Sequence, residues 1–235
     1  MKSTETLIVL QARMGSRRLP GKSLSRIGSE SLVGLCIRRL SLAGPRVMVA
    51  TTTLPEDEAI VLEAERHGVE VCRGSSDDVL SRFVEAARLA GATTVVRATA
   101  DNPAVDFESV ARVLAAMAEA GADHVVEAGL PYGAAVEAVT VDALERALRF
   151  SESAYDREHV TPYLTRNADR FVVARPAAPR ALRRPELRFT VDTREDLLYM
   201  REVFACLGPG AARASLGSII TAADRLRLAA TLGAA

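Results

Sequence analysis

Short apolar runs alternate with longer amphipathic windows along most of this 235-residue chain, and that alternation restricts the fold more than any other feature. Segments 7–10, 46–50, 69–72, 94–98, 124–127, 171–174 and 188–191 read as strands, being short and bounded by polar or turn residues. Segments 32–41, 55–67, 77–90, 107–120, 141–150 and 193–206 repeat apolar residues at helical spacing. Strand–helix–strand alternation implies crossover connections, and crossovers place helices over both faces of a mainly parallel sheet. The expected fold class is therefore α/β. Segment 214–232 predicts one or two closing helices, and the proline-rich stretch 175–185 predicts a surface crossing.

Nearly half of the residues are hydrophobic (49%), enough for a sizeable core in one domain over 1–235. Thirty basic residues balance thirty acidic ones, which argues against a general nucleic-acid or anionic-membrane surface. Cys36, Cys72 and Cys206 form no CxxC pair, so buried reduced thiols in a cytoplasmic protein are expected, not a zinc site. No apolar run of about 18 residues and no basic-then-apolar leader is present.

In sheets of this kind ligands bind beyond the carboxyl ends of the strands. The first strand runs directly into Gln11-Ala12-Arg13-Met14-Gly15-Ser16-Arg17-Arg18-Leu19-Pro20-Gly21-Lys22. Pro20 and Gly21 interrupt any helix, so this stretch should be a loop. Its cations and glycines suit a polyphosphate, which needs close backbone approach and positive charge. Lys22 is one of only two lysines, the other being Lys2, so a compact ammonium has been placed where the chain otherwise uses arginine. The spacing is not that of a Walker loop, since Gly15 and Gly21 stand one residue too far apart.

Two carboxylates should stand on the same face. Asp101 follows the strand predicted at 94–98, and Asp192 ends the one predicted at 188–191. Together they could hold Mg²⁺, a hard cation that bridges phosphate oxygens. Each also has a simpler reading, Asp101 as a turn residue and Asp192 as a helix cap. Asp106 is expected to cap a helix from Phe107, and Ser75-Ser76-Asp77-Asp78 reads as another helix start. Tyr155 to Leu164 carries Arg157, Glu158 and His159, either an acceptor site or a polar helix start before Pro162. His67 and His124 receive no role.

The segments at 11–22, 97–103, 157–162 and 190–196, in that order, resemble the cytidylyltransferase-like family of spore coat polysaccharide biosynthesis (SpsF type), related to the acylneuraminate and 3-deoxy-manno-octulosonate cytidylyltransferases. The resemblance implies a GT-A-like, Rossmann-like nucleotide-diphospho-sugar transferase fold. It implies that CTP binds Gln11, Ala12, Arg13, Gly15, Ser16, Arg17, Arg18 and Lys22, together with Arg97, Thr99, Ala100 and Asp77 or Asp78. Arg13, Lys22, Asp101 and Asp192 become the catalytic set, with Mg²⁺ on Asp101 and Asp192. A small acceptor, an acidic sugar or a related phosphate or phosphonate, would meet Tyr132, Gly133, Glu137, Arg157, Glu158 and His159. A homodimer is also implied, with 129–185 as the excursion for acceptor binding or dimerisation.

Gly133 and Glu137 match the family's Pro-Arg-Gly-Leu-Asp-Val-Glu stretch, whereas Tyr132, Ala134 and Ala135 replace its Arg, Leu and Asp. That departure puts an acidic acceptor in doubt. Transfer from another nucleoside triphosphate to a sugar phosphate, a glycosyltransferase on the same fold, and a non-catalytic nucleotide-binding protein are the alternative readings.

Overall fold

The computed structural model describes residues 5–233. In chain order its strands are β1 (Thr6–Gln11), β2 (Arg26–Ile27), β3 (Glu30–Ser31), β4 (Arg46–Thr52), β5 (Glu70–Gly74), β6 (Thr94–Thr99), β7 (His124–Val126), β8 (Glu137–Thr140) and β9 (Val173–Ala174). The α-helices are α1 (Leu32–Leu40), α2 (Glu58–Arg66), α3 (Val79–Ala90), α4 (Ser109–Ala120), α5 (Val141–Phe150), α6 (Ala154–His159), α7 (Pro162–Arg166), α8 (Arg194–Leu207) and α9 (Leu216–Gly233).

Seven strands form one sheet in the order β5-β4-β1-β6-β8-β7-β9. The pairs β5/β4, β4/β1, β1/β6 and β7/β9 are parallel, while β8 runs antiparallel to both β6 and β7. Side chains alternate across a strand, and β1 is buried on both faces. Ile8 and Leu10 pack with Val33, Ile37, Ile60 and Val113 from α1, α2 and α4. Leu7 and Val9 pack with Leu80, Phe83, Val84 and Leu144 from α3 and α5. A third apolar cluster joins α8 and α9 to Leu32, Leu35, Leu187, Phe189 and Val191. The chain leaves β1 toward β4 and β5, then returns to place β6 on the other side of β1. The loop after β1 therefore lies at a topological switch point, where open α/β sheets bind ligands.

The expected α/β sheet with helices on both faces is present. Segment 188–191 is not a strand. It makes a single parallel bridge, Tyr132 with Arg188, and Val191 N–H donates to the Asp101 carbonyl at 2.8 Å beyond the sheet. The strand expected at 171–174 shrinks to Val173–Ala174. Sequence reading missed β8, which is followed without a loop by α5, so its four residues merge into the helical pattern. The closing segment is one helix, α9. Cys36 and Cys72 are buried as expected, but Cys206 is exposed on α8. Asp106 does accept from Glu108 N–H at 3.2 Å, yet α4 starts later, at Ser109, and the fully buried Asp106 pairs with Arg112. No described helix is long and apolar enough to cross a membrane.

Candidate active site

The loop after β1 is anchored at both ends by groups that the sheet supplies. Ala12 N–H donates to the Ala50 carbonyl at 3.1 Å and Ala100 N–H to the Gln11 carbonyl at 3.0 Å, which ties the ends of β4, β1 and β6 together. The buried Asp57 carboxylate accepts from Met14 N–H at 2.7 Å and from the Thr52 amide and hydroxyl. Ser23 Oγ donates to the Arg13 carbonyl at 2.8 Å. Gly21 has φ +71°, a conformation that an L side chain resists, and it turns the chain into the single helical turn that carries Lys22. Asp57 was not anticipated from sequence, since nothing in Pro-Glu-Asp marks which acid turns inward.

Lys22 Nζ is the hub of the site. It donates to the Val191 carbonyl at 2.8 Å, to Asp101 Oδ2 at 3.1 Å and to Asp192 Oδ1 at 3.3 Å. Three segments far apart in sequence thus meet on one ammonium. Asp192 also pairs with Arg18 at 2.8 Å and Arg188 at 2.6 Å. Burial pushes its carboxyl upward, but the charge and hydrogen bond of Lys22, then Arg188 and Arg18, outweigh that and hold it below the usual range. Asp192 is not the helix cap. Thr193 caps α8 in a reciprocal box with Asp196, leaving the Asp192 side chain to Lys22.

One cleft of about 1120 Å³ gathers these groups. Every residue anticipated for the nucleotide and acceptor lines it except Asp78 and Arg157. Asp78 caps α3 through Ser81 N–H at 2.8 Å and binds Arg157 at 2.9 Å. Arg157 is further occupied by the Ser151 and Leu148 carbonyls. These two residues fix α6 against α3 and turn away from the cleft. Asp77 does line it.

Glu158 and His159 reach the cleft from the end of α6. The next residue, Val160, is fully buried at φ +73°, strained for a β-branched side chain, and it ends the helix abruptly. Glu158 pairs with Arg13 at 3.2 Å across the opening. Deeper, cross-strand neighbours Arg97 on β6 and Glu137 on β8 meet at 2.5 Å. Burial raises the Glu137 carboxyl, but the Arg97 charge, the His124 hydrogen bond and charge, and a Thr161 hydrogen bond together bring it down to about 2. His124 Nε2 therefore donates to Glu137 Oε2, at 2.8 Å, which leaves its buried Nδ1 without a partner. His124 lies between β8 and β9 in the sheet, not at an edge, and its part in positioning Glu137 was not legible from sequence. The almost fully buried Arg82 was missed too: it lines the cleft and holds the Ser75 carbonyl with a terminal nitrogen.

A family model described as Cytidylyltransferase matches residues 7–215. An uncharacterized protein of Methanocaldococcus jannaschii is 36% identical over 195 residues, covering 82% of this chain and 80% of that protein. The spore coat polysaccharide biosynthesis protein SpsF of Bacillus subtilis is 31% identical over 212 residues, covering 87% and 88%. A solved cytidylyltransferase from Leptospira borgpetersenii superposes with a TM-score of 0.88 at 26% identity, over 95% of each chain. A ligand cleft at the switch point of a mixed sheet, with a family match along nearly the whole fold, makes this chain a member of the cytidylyltransferase family and a nucleotidyltransferase of the nucleotide-diphospho-sugar transferase fold.

Proposed function

We propose that this protein transfers a cytidylyl group from CTP to an oxygen of a small acceptor and releases pyrophosphate. The observation that carries the reading is that Lys22 joins Asp101 and Asp192 in the cleft that Arg13, Arg17 and Arg18 also line. The acceptor oxygen bonds to the α-phosphorus as the bond to the β-phosphate's bridging oxygen breaks. Pyrophosphate takes that electron pair, and a proton lost by an acceptor hydroxyl passes to water.

Reactions of this kind depend on positioning and charge stabilisation more than on covalent catalysis. Arg13, Arg17, Arg18 and Lys22 bind the triphosphate and offset charge building on pyrophosphate. Asp101 and Asp192 suit Mg²⁺, since two carboxylates within reach of one ammonium offer the oxygen donors that a hard cation takes together with phosphate oxygens. Among the described residues no group of three or more His, Cys, Asp or Glu side chains forms a metal cage, so substrate and water would complete the shell. When bound, the ion supplies charge neutralisation at the α-phosphate. Asp57 and Ser23 keep the loop backbone fixed for the nucleotide. In a cytoplasmic homodimer, region 129–185 is the segment proposed to carry the contact.

Pyrophosphate release measured with CTP, UTP, GTP and ATP, each with Mg²⁺ and an acceptor panel, tests the reading. CTP should be preferred, and Asp101→Asn and Asp192→Asn should each lose turnover while keeping the wild-type fold by circular dichroism. Equal use of another triphosphate, or near-normal turnover in both variants, overturns it.

A further inference from the structure

Arg39 and Arg82 are the largest almost fully buried side chains among the described residues, and they are satisfied very differently. Arg39 on α1 spends its whole guanidinium on the protein. Its Nε and Nη2 donate to the Val105 carbonyl at 3.1 and 3.0 Å, and its Nη1 donates to the Ala212 and Ala214 carbonyls at 3.2 and 2.9 Å. Arg82 on α3 is 2% exposed and lines the cleft. Of its donors, Nη1 alone is taken, by the Ser75 carbonyl. Its buried Nε has no partner among the described residues. Nη2 bonds to none of them either, yet it is not sealed as Nε is, so it is the nitrogen that opens to the cleft.

No described carboxylate answers this charge. Asp57 accepts from Met14 N–H and from the Thr52 amide and hydroxyl. Asp78 accepts from Ser81 N–H and pairs with Arg157 at 2.9 Å. Burial draws the Arg82 guanidinium below its usual range and the charge of Arg13 draws it the same way, while Asp57, Cys72 and Asp78 do not make up the difference. An uncompensated buried charge destabilises a fold, and a ligand that supplies the missing partner accounts for its presence.

The side chain is also held in place. A Cβ on Gly74 would lie 2.9 Å from Arg82 Cγ, so the stem runs tightly over the end of β5. The charges felt by Arg82 include Arg13, on the β1 loop, and Asp57, which anchors that loop through Met14 N–H. Both belong to the part of the cleft assigned above to the nucleotide. A guanidinium only donates, so the partner it lacks is an acceptor.

Resting on the cytidylyltransferase reading, we propose that Arg82 is a nucleotide-binding residue whose free donors take an oxygen acceptor of CTP, a phosphate oxygen or the pyrimidine 2-carbonyl, and that carrying it unpaired costs the free protein stability.

One substitution should therefore act with opposite signs on folding and on binding. Arg82→Met keeps a buried aliphatic stem and removes the unpaired charge, while the carbonyl of the exposed Ser75 passes to water. Without ligand, the melting temperature of the full chain by circular dichroism should equal or exceed that of the wild type. Calorimetric titration with CTP and Mg²⁺ should show binding at least tenfold weaker. The same titration with inorganic triphosphate and with cytidine locates the oxygen, since the fragment whose binding weakens carries it. A melting temperature more than about 3 °C below wild type would make Arg82 a structural support of the turn after β5 and overturn the proposal. Unweakened CTP binding overturns it as well, and so does a loss that neither fragment reproduces. Absence of CTP binding by the wild type would overturn the cytidylyl reading, and this inference with it, so the two failures are distinguishable.

Discussion

Replacing Lys22 with methionine keeps the aliphatic stem and removes the charge that joins three segments. At an effective dielectric of about 20, an ammonium and a carboxylate at this separation attract by about 5 kcal/mol before desolvation is counted. Lys22 is 14% exposed and its partners Asp101 and Asp192 are 31% and 16% exposed, so desolvation and residual water offset much of that attraction. Charge-assisted hydrogen bonds are worth roughly 1.5–3 kcal/mol net. Because Arg18 and Arg188 remain on Asp192, the variant should lose about 2–3 kcal/mol of folding stability, chiefly through Asp101. The same change vacates the space between the two carboxylates. In the free wild type a divalent ion must displace Lys22. In Lys22→Met it need not, so Mn²⁺ without nucleotide should bind at least tenfold more tightly, equivalent to about 1.4 kcal/mol. Two measurements check this: urea unfolding with and without Mn²⁺, and the electron paramagnetic resonance signal of free Mn²⁺ during titration. Catalysis should fall in parallel by about 2–4 kcal/mol of transition-state stabilisation, the scale of one strong oxyanion donor. Equal Mn²⁺ affinity in both proteins would refute the view that Lys22 occupies the place of the metal in the free enzyme.

Gly133→Ala should destabilise by about 2–4 kcal/mol, because positive φ and a Cβ 2.8 Å from the Thr190 amide nitrogen act together; a loss under about 0.5 kcal/mol in denaturant midpoint would show that the contact relaxes freely. Glu137, held down at about 2, contributes stability that is fully present above its unfolded value near 4.5 and is lost as pH falls toward 2. Unfolding measured between pH 6 and 3 should therefore show a shallower acid dependence in Glu137→Gln than in wild type, and identical slopes would contradict the assignment. In a thiol-titration assay one cysteine, Cys206, should react rapidly in the native protein and all three after unfolding, since Cys36 and Cys72 are buried and burial pushes the Cys36 thiol up to about 12. Rapid native reaction of two or more thiols would contradict the burial.

The loop after β1 was legible because its information is local. One strand, one turn and one run of cations are contiguous from Leu7 to Lys22, and burial of 7–10 on both faces of the sheet puts the loop at the carboxyl ends of the strands. Asp101 follows from the same logic one strand later. Asp192 was expected at the end of a strand and still reaches the cleft, but for a different reason. Its segment is no strand; it is drawn in by Val191 N–H bonding to the Asp101 carbonyl and by Thr193 taking the capping role. A capping box and a ligand carboxylate both read as polar residues before a helix, and only tertiary contact tells which acid performs which task.

The surroundings of Glu137 were opaque because pairing, not composition, gives these residues their meaning. Arg97 and Glu137 are 40 positions apart and become neighbours only because β8 enters the sheet antiparallel to β6. That entry neutralises the arginine and draws His124 in from β7. An Arg on a strand leading to a candidate catalytic Asp looks, in sequence, like a cation offered to a substrate. In the fold it has already been answered by a carboxylate from the next strand. The same reasoning removes Arg157, whose guanidinium is consumed by Asp78 and two carbonyls. Counting cations in motifs therefore overstates how anionic the second substrate can be. What a substrate would meet is set by the charges left after each pair is closed, and in this cleft that count takes Arg97 out of the free cations.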